Sequence, residues 1–207
     1  MTFSMKSVEF DLDGEHRNKA YTILAGVITP RPIAWVTTKN ENGTINAAPF
    51  SFFNCFGSRP PLVIFAPGNK ELGIPKDTAR NIRREREFVI HTVDSTVIHA
   101  MNQSAASLDY GQSEINTAQL TLIDSSHIST PRIAEAPVAL ECTEHSTIEI
   151  GSNRLVLGIV HKAHVREGLM DPTSCHLDQK NYNPIGRMAS PDWYCTTESL
   201  FEMERPK

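Results

Sequence analysis

The sequence has no apolar run long enough to cross a bilayer. Its longest stretches, such as Leu62 to Ala66 and Leu155 to Val160, fall far short of the roughly 20 residues a spanning helix needs. No secretory apolar stretch opens the chain either: between Met1 and Glu15, Lys6 is mixed with Glu9, Asp11, Asp13 and Glu15, so a cytoplasmic location is expected. Cysteine is sparse. Cys55, Cys142, Cys175 and Cys195 include no C-x-x-C spacing and are too few for a disulfide scaffold, which predicts reduced thiols. In that compartment the sequons at Asn42 and Asn102 carry no glycan. Charge of one sign is also lacking: a net charge of −4 gives no reason to expect nucleic acid or an anionic membrane as partner.

Several catalytic signatures are missing. No G-x-G-x-x-G follows a strand, so a Rossmann dinucleotide site is unsupported. Gly68 and Gly73 have the first spacing of a P-loop, but Ile74-Pro75 stand where Lys and Ser or Thr are required. His161 and His164, three apart in an apparent strand, are expected on opposite faces; with no H-E-x-x-H, a catalytic metal is not expected. The G-x-S-x-G elbow of many hydrolases is missing too.

What is present describes a globular chain, with 207 residues, 40% of them hydrophobic and 21% charged. That length predicts one domain over 1–207. Strands are predicted over Ile33 to Thr38, Ile45 to Phe53 and Leu62 to Phe65, the first two joined by a hairpin at Asn40-Glu41-Asn42-Gly43. Lys76 to Glu87 reads as an amphipathic helix, with Ala79 and Ile82 opposed to Arg80, Arg83, Arg84 and Arg86. Phe88 to Val93 reads as a buried strand, Ser95 to Ala105 as a helix capped by Ser or Thr, and Ser113 to Gln119 as a weaker helix. From Val138 two or three long strands follow, turning at Gly151-Ser152-Asn153. The stretch 170–207 has no clear periodicity and is expected to be an extension or an interface segment. Strands interrupted irregularly by helices point to an antiparallel barrel with attached helices.

Three segments offer binding chemistry. At Lys76-Asp77-Thr78 a cation and a hydroxyl sit at a helix start, where unsatisfied N–H groups favour an anion such as a phosphate; read alone, Asp77 or Thr78 serves equally as a helix cap. In Asn46 to Asn54, Ala47 and Ala48 allow close approach of a flat ligand, and Asn46, Ser51 and Asn54 offer hydrogen bonds. Pro49 confines this strand to an edge or a bulge, and Phe50 suits core or interface packing better than stacking on a ligand. Trp35-Val36-Thr37-Thr38 reads as a strand end delivering two hydroxyls.

These segments, Ile28 to Thr38, Asn46 to Asn54 and Lys76 to Ile82, resemble in order and separation the flavin reductase-like family. Pro60-Pro61-Leu62-Val63, Glu87-Phe88-Val89 and Pro184-Ile185-Gly186-Arg187 extend the resemblance over nearly the whole chain. The resemblance implies a mainly β fold with attached helices, an antiparallel split β-barrel that binds FMN. It implies NAD(P)H as reductant, a homodimer with the flavin at its interface, and an oxygenase or another electron acceptor downstream. The implied cofactor contacts are Trp35, Val36, Thr37, Thr38, Asn46, Ala48, Pro49, Phe50, Ser51, Asn54, Lys76 and Thr78, with Arg187 reaching the cofactor or the second subunit. A flavoredoxin-like electron carrier, holding FMN without nicotinamide turnover, is the alternative activity.

Overall fold

The structure, a computed structural model, describes residues 6–71 and 73–206. A 3₁₀ turn at Arg17–Lys19 leads into α1 (Ala20–Val27), which the sequence reading did not anticipate. Four strands follow: β1 (Ala34–Lys39), β2 (Ile45–Phe50), β3 (Phe53–Ser58) and β4 (Pro61–Phe65). The short pair β5 (Asn69–Glu71) and β6 (Ile74–Pro75) precedes α2 (Asp77–Glu85), β7 (Glu87–His91) and α3 (Ile98–Gln103). A second short pair, β8 (Leu122–Ile123) and β9 (Arg132–Ile133), leads to the long hairpin of β10 (Val138–Ile150) and β11 (Asn153–Val165). Near the end β12 (Gly186–Arg187) pairs with β13 (Tyr194–Cys195). Among the described residues no helix is long and apolar enough to cross a membrane.

Seven strands make one antiparallel sheet in the order β2-β1-β7-β10-β11-β4-β3. Its two edge strands are consecutive in the chain, β2 ending at Phe50 and β3 starting at Phe53 across a bend at Ser51-Phe52. The sheet therefore curls until its edges meet at a covalent corner, with no ladder between them. This is the antiparallel split barrel with attached helices that the sequence implied. The expected single strand Ile45 to Phe53 is interrupted at that corner.

Both faces of β1 are buried, from Ala34 to Thr38. Ala34 and Val36 face the barrel interior with Phe50, Val63, Phe65, Phe88, Ile90 and Val156, and α2 plugs this core with Ile82. Ile33 and Trp35 face outward into a second core with Val97, Met101, Ile115, Ile133 and Ile185. Burying each large apolar side chain contributes about 1.5–3 kcal/mol. Inside the barrel Phe65 lies 5.5 Å, centroid to centroid, from both Phe50 and Phe88. Room for Phe88 comes from Gly158 on β11: a Cβ there would lie 2.5 Å from Phe88 Cζ.

The connection from Asp124 to Pro131 is tied down by two carboxylates. Glu141 on β10, with no exposed surface, accepts the backbone N–H groups of Ser126, His127 and Ile128 at 2.9, 2.7 and 3.3 Å, and meets His164 Nε2 at 2.5 Å. Burial alone would raise its pKa, but the bonds from Ser126, His164 and His127 outweigh it and hold the carboxyl at about 2. Glu87 on β7 accepts the Ser129 N–H and the hydroxyls of Ser129 and Thr130.

Local chemistry revises other expectations. The helix predicted from Ser95 is only Ile98–Gln103, and no side chain caps it; Asp94 Oδ1 accepts the Thr96 N–H instead. Ser113 to Gln119 forms hydrogen-bonded turns rather than a helix, ending with Gln119 at φ 55°. His161 and His164 do not face apart. The register between β10 and β11 slips opposite Glu141/Cys142, and the extra residue is His161. That bulge turns it to the side of Thr143, where it stacks on His127 with centroids 4.3 Å apart. Among the described residues no group of three or more His, Cys, Asp or Glu side chains is placed to hold a metal ion.

Candidate functional site

Where β2, the start of α2 and the segment after α3 converge there is a pocket of about 120 Å³. Asn46, Ala48 and Pro49 line it from β2, Lys76, Asp77 and Thr78 from the helix start, and Ser104 to Leu108 from the opposite wall, with Lys70 and Glu114 at its sides. Strand β2 pairs only with β1, so one of its edges is free to face a ligand. Pro49, which lacks an N–H, sits on this edge without cost to the sheet. The β1–β2 ladder runs in register from Ala34/Phe50 to Lys39/Ile45, so the strand is an edge without the anticipated bulge; the bulge lies in β3, between Cys55 and Gly57.

The start of α2 is anchored from below and open above. Lys76 is its N-cap in extended conformation, and no side chain accepts the first helical N–H groups, so neither Asp77 nor Thr78 acts as the cap. Thr78 is 1% exposed, and its Oγ1 accepts the Asn46 amide at 3.0 Å, which leaves the Thr78 O–H as a donor. Asn46 also donates to Thr38 Oγ1 at 3.3 Å, and Asn81 donates to the same hydroxyl at 3.0 Å and to Asn40 Oδ1 at 2.7 Å. This buried chain of amides and hydroxyls fixes α2 against β1 and β2.

Charge in the pocket is mixed. Lys76 Nζ lies 5.5 Å from the Phe50 ring centroid and makes no ion pair among the described residues. Its side chain as a whole is exposed, yet the surroundings of its ammonium desolvate it and lower its pKa. Burial raises the pKa of Asp77, against the opposing pull of Lys70 and Arg80. Glu114, 6% exposed, accepts the Ala47 N–H at 2.9 Å, and burial pushes its carboxyl above the usual range. The arrangement suits an anion, since a cation, a hydroxyl and helix N–H groups meet there.

Of the residues expected to contact a cofactor, Asn46, Ala48, Pro49, Lys76 and Thr78 line this pocket. Trp35, Val36, Thr37 and Thr38 do not: all are fully buried behind it. The Trp35 indole donates to Ser104 Oγ at 2.8 Å, Val36 packs inside the barrel, and Thr37 donates to Pro131 O at 2.9 Å. They shape the site at one remove, because a strand covered on both faces presents no side chain to a surface cleft. Phe50 is a core residue below Lys76. Ser51 accepts from Arg31 Nε at 3.3 Å at the barrel corner. Asn54 stands beyond that corner on β3. Arg187 is turned away, paired at 3.8 Å with Asp192 and lying over the Tyr194 ring.

Sequence reasoning missed Lys70, Glu114 and the wall Ser104-Ala105-Ala106-Ser107. The run of small residues after a helix was the available signal for the wall, whereas Lys70 and Glu114 carry none. It also missed Arg31, a buried tie whose guanidinium donates to the carbonyls of Ala25, Ile28 and Met188, joining α1, the corner and the C-terminal segment.

On the far side of the corner lies a wider groove of about 600 Å³, lined mainly by Leu24, Ile28, Pro30, Phe52, Phe53, Phe56 and Leu155. Ser51 and Asn54 open onto it. Around it, apolar side chains stand unusually exposed, with Val27 at 72%, Phe56 at 67% and Tyr21 at 64%.

The profile of the flavin reductase like domain matches residues 27–186. An uncharacterized protein of Deinococcus radiodurans is 37% identical over 206 residues, covering 97% of this chain and 91% of its own. Nitrilotriacetate monooxygenase component B from Bacillus cereus superposes with a TM-score of 0.91 at 33% identity, covering 97% of this chain and 100% of its own. The 2-nitrobenzoate 2-nitroreductase of Pseudomonas fluorescens gives 0.87 at 32% identity, with 96% of each chain covered.

Proposed function

The chain belongs to the flavin reductase-like family, a family of flavin-related oxidoreductases, and from that premise we propose that it binds FMN and acts as an NAD(P)H-dependent flavin reductase. The observation that carries the cofactor is the uncapped start of α2 with Lys76 and the Thr78 hydroxyl, beside an edge strand and a wall of small residues. A single phosphate fits that donor set. Lys76 supplies charge, the first N–H groups of α2 and the Thr78 O–H supply hydrogen bonds, and Ala48, Ala105 and Ala106 let the polyol chain lie close to the backbone.

FMN held there supplies the redox chemistry, taking a hydride from a nicotinamide and giving electrons to an acceptor. The protein's part is to hold the ring, exclude water and leave one face open. No side chain has to move a proton in the hydride step. The apolar groove and its exposed surroundings support a second copy of the chain as partner, with the flavin bound near the interface so formed. The Bacillus cereus relative is named as one component of a monooxygenase, which supports a separate oxygenase as electron acceptor; the Pseudomonas fluorescens relative is named for reducing a nitroarene.

Anaerobic titration decides the matter. Purified protein given FMN should turn yellow, and NADH or NADPH should then bleach excess flavin over many turnovers. Bound flavin that is not reduced catalytically by either nucleotide would make the protein an electron carrier instead, and failure to take up FMN would remove both activities.

A further inference from the structure

Beside the phosphate pocket, and sharing Asp77 with it, lies a second pocket of about 340 Å³. Tyr110 is its organising residue. The Tyr110 hydroxyl donates to Pro75 O at 2.7 Å, which fixes the ring. Arg80 lies over that ring with its guanidinium carbon 4.0 Å from the centroid, and Lys70 Nζ lies 4.7 Å from the same centroid. Lys70 lines the first pocket and Arg80 the second, so one aromatic ring carries two cations that bridge the two cavities. Neither cation has a carboxylate ion-pair partner among the described residues.

Arg84, on the same helix, shows what a structurally committed arginine looks like here. It donates to Lys39 O at 2.6 Å and pairs with Glu85, also at 2.6 Å. Arg80 has no such commitment among the described residues; its guanidinium lies against the Tyr110 ring, and the residue lines the pocket. Such a plane stacks well on a purine, and its edge is a donor fork for phosphate. Across the cavity the Asn42 amide, donating to Gly111 O at 3.0 Å, supplies a polar wall.

The positive positions therefore run in sequence from the α2 start and Lys76, through Lys70, to Arg80. One phosphate uses the first position only. Two phosphates joined together use the whole series, and place whatever follows against Arg80 and Tyr110. Resting on the phosphate site assigned above, we infer that this second pocket takes the adenylate half of a dinucleotide, bound through its diphosphate. That ligand is either FAD, whose diphosphate runs from the flavin site along the whole series, or the nicotinamide nucleotide, whose diphosphate uses Lys70 and Arg80 beside the FMN phosphate.

Titrating the full-length protein with riboflavin, FMN, FAD and ADP-ribose, for wild type, Arg80→Ala, Tyr110→Ala and Lys76→Ala, tests this, with thermal melts confirming that each variant folds. If FAD is the source, Arg80→Ala weakens FAD by about ten-fold or more and FMN by less than about two-fold, as expected for loss of one charge-assisted phosphate contact. If the nicotinamide nucleotide is the source, the same selective loss falls on ADP-ribose while FMN and FAD keep their ratio. Equal affinity of folded Arg80→Ala and wild type for both FAD and ADP-ribose overturns the inference, as does a uniform loss that includes FMN. Lys76→Ala separates the two sites: should it leave FMN binding intact while Arg80→Ala still weakens ADP-ribose, the phosphate assignment falls and the adenylate site stands.

Discussion

His91 occupies the fully buried junction of β7 with the outer core, and its two nitrogens have fixed roles. Nε2 lies 2.9 Å from the Ile133 N–H, which must donate, so Nδ1 carries the proton and donates to Trp35 O at 2.9 Å. Burial lowers its pKa from 6.5 to about 4. Between those values the unfolded chain binds a proton that the folded one refuses. Stability is therefore complete above pH 6.5 and falls as the pH drops toward 4, by roughly 3 kcal/mol in all. Urea unfolding across this range should show the decline, and His91→Gln, which keeps one donor and one acceptor, should flatten it. At the pocket, Lys76→Ala and Thr78→Ala should weaken FMN by about ten-fold while changing riboflavin far less, because riboflavin lacks the phosphate. Fluorescence titration reads both affinities, and equal losses would move the phosphate elsewhere.

At the scale of strands and helices, legibility followed how local each cause was. Helix α2 was readable because its apolar and arginine faces alternate within nine residues; it runs Asp77–Glu85 inside the predicted Lys76 to Glu87, closed by Arg86 at φ 62°. The edge position of β2 was legible in Pro49, whose missing N–H forbids a central place. Trp35 to Thr38 was legible as a strand but its burial was not: whether Thr37 stands open or meets Pro131 depends on what covers β1 from 94 residues away. The His161 bulge is likewise invisible without knowing how β11 pairs with β10. Gly158 belongs to the same class, since only the packed barrel reveals Phe88 against it. Gly158→Ala should cost about 1–3 kcal/mol by overpacking, seen as a lower urea midpoint at unchanged slope. Adding Phe88→Leu should recover part of that loss.

For the whole molecule, the open seam of the barrel separates two unlike surfaces. The polar pocket lies on the β2 side and the apolar groove on the β3 side, joined by Ser51-Phe52. If the groove is a self-association surface, Phe56→Glu, a charge at a site now 67% exposed, should convert a dimer into monomers in sedimentation velocity while leaving the melting temperature of the monomer little changed. A monomeric wild type would refute the dimer. The span from Asp124 to Pro131, finally, has the look of a segment a protease would enter first. With its amides claimed by Glu87 and Glu141 it cannot adopt the extended form that cleavage requires unless those carboxylates let go. Since Glu141 stays ionised to a pH near 2, whereas the unfolded chain gains a proton at His91 from about pH 6.5 downward, acid lowers the stability of the whole fold before it releases the loop. A gastric-type protease would thus meet this chain either intact or wholly open, with little in between.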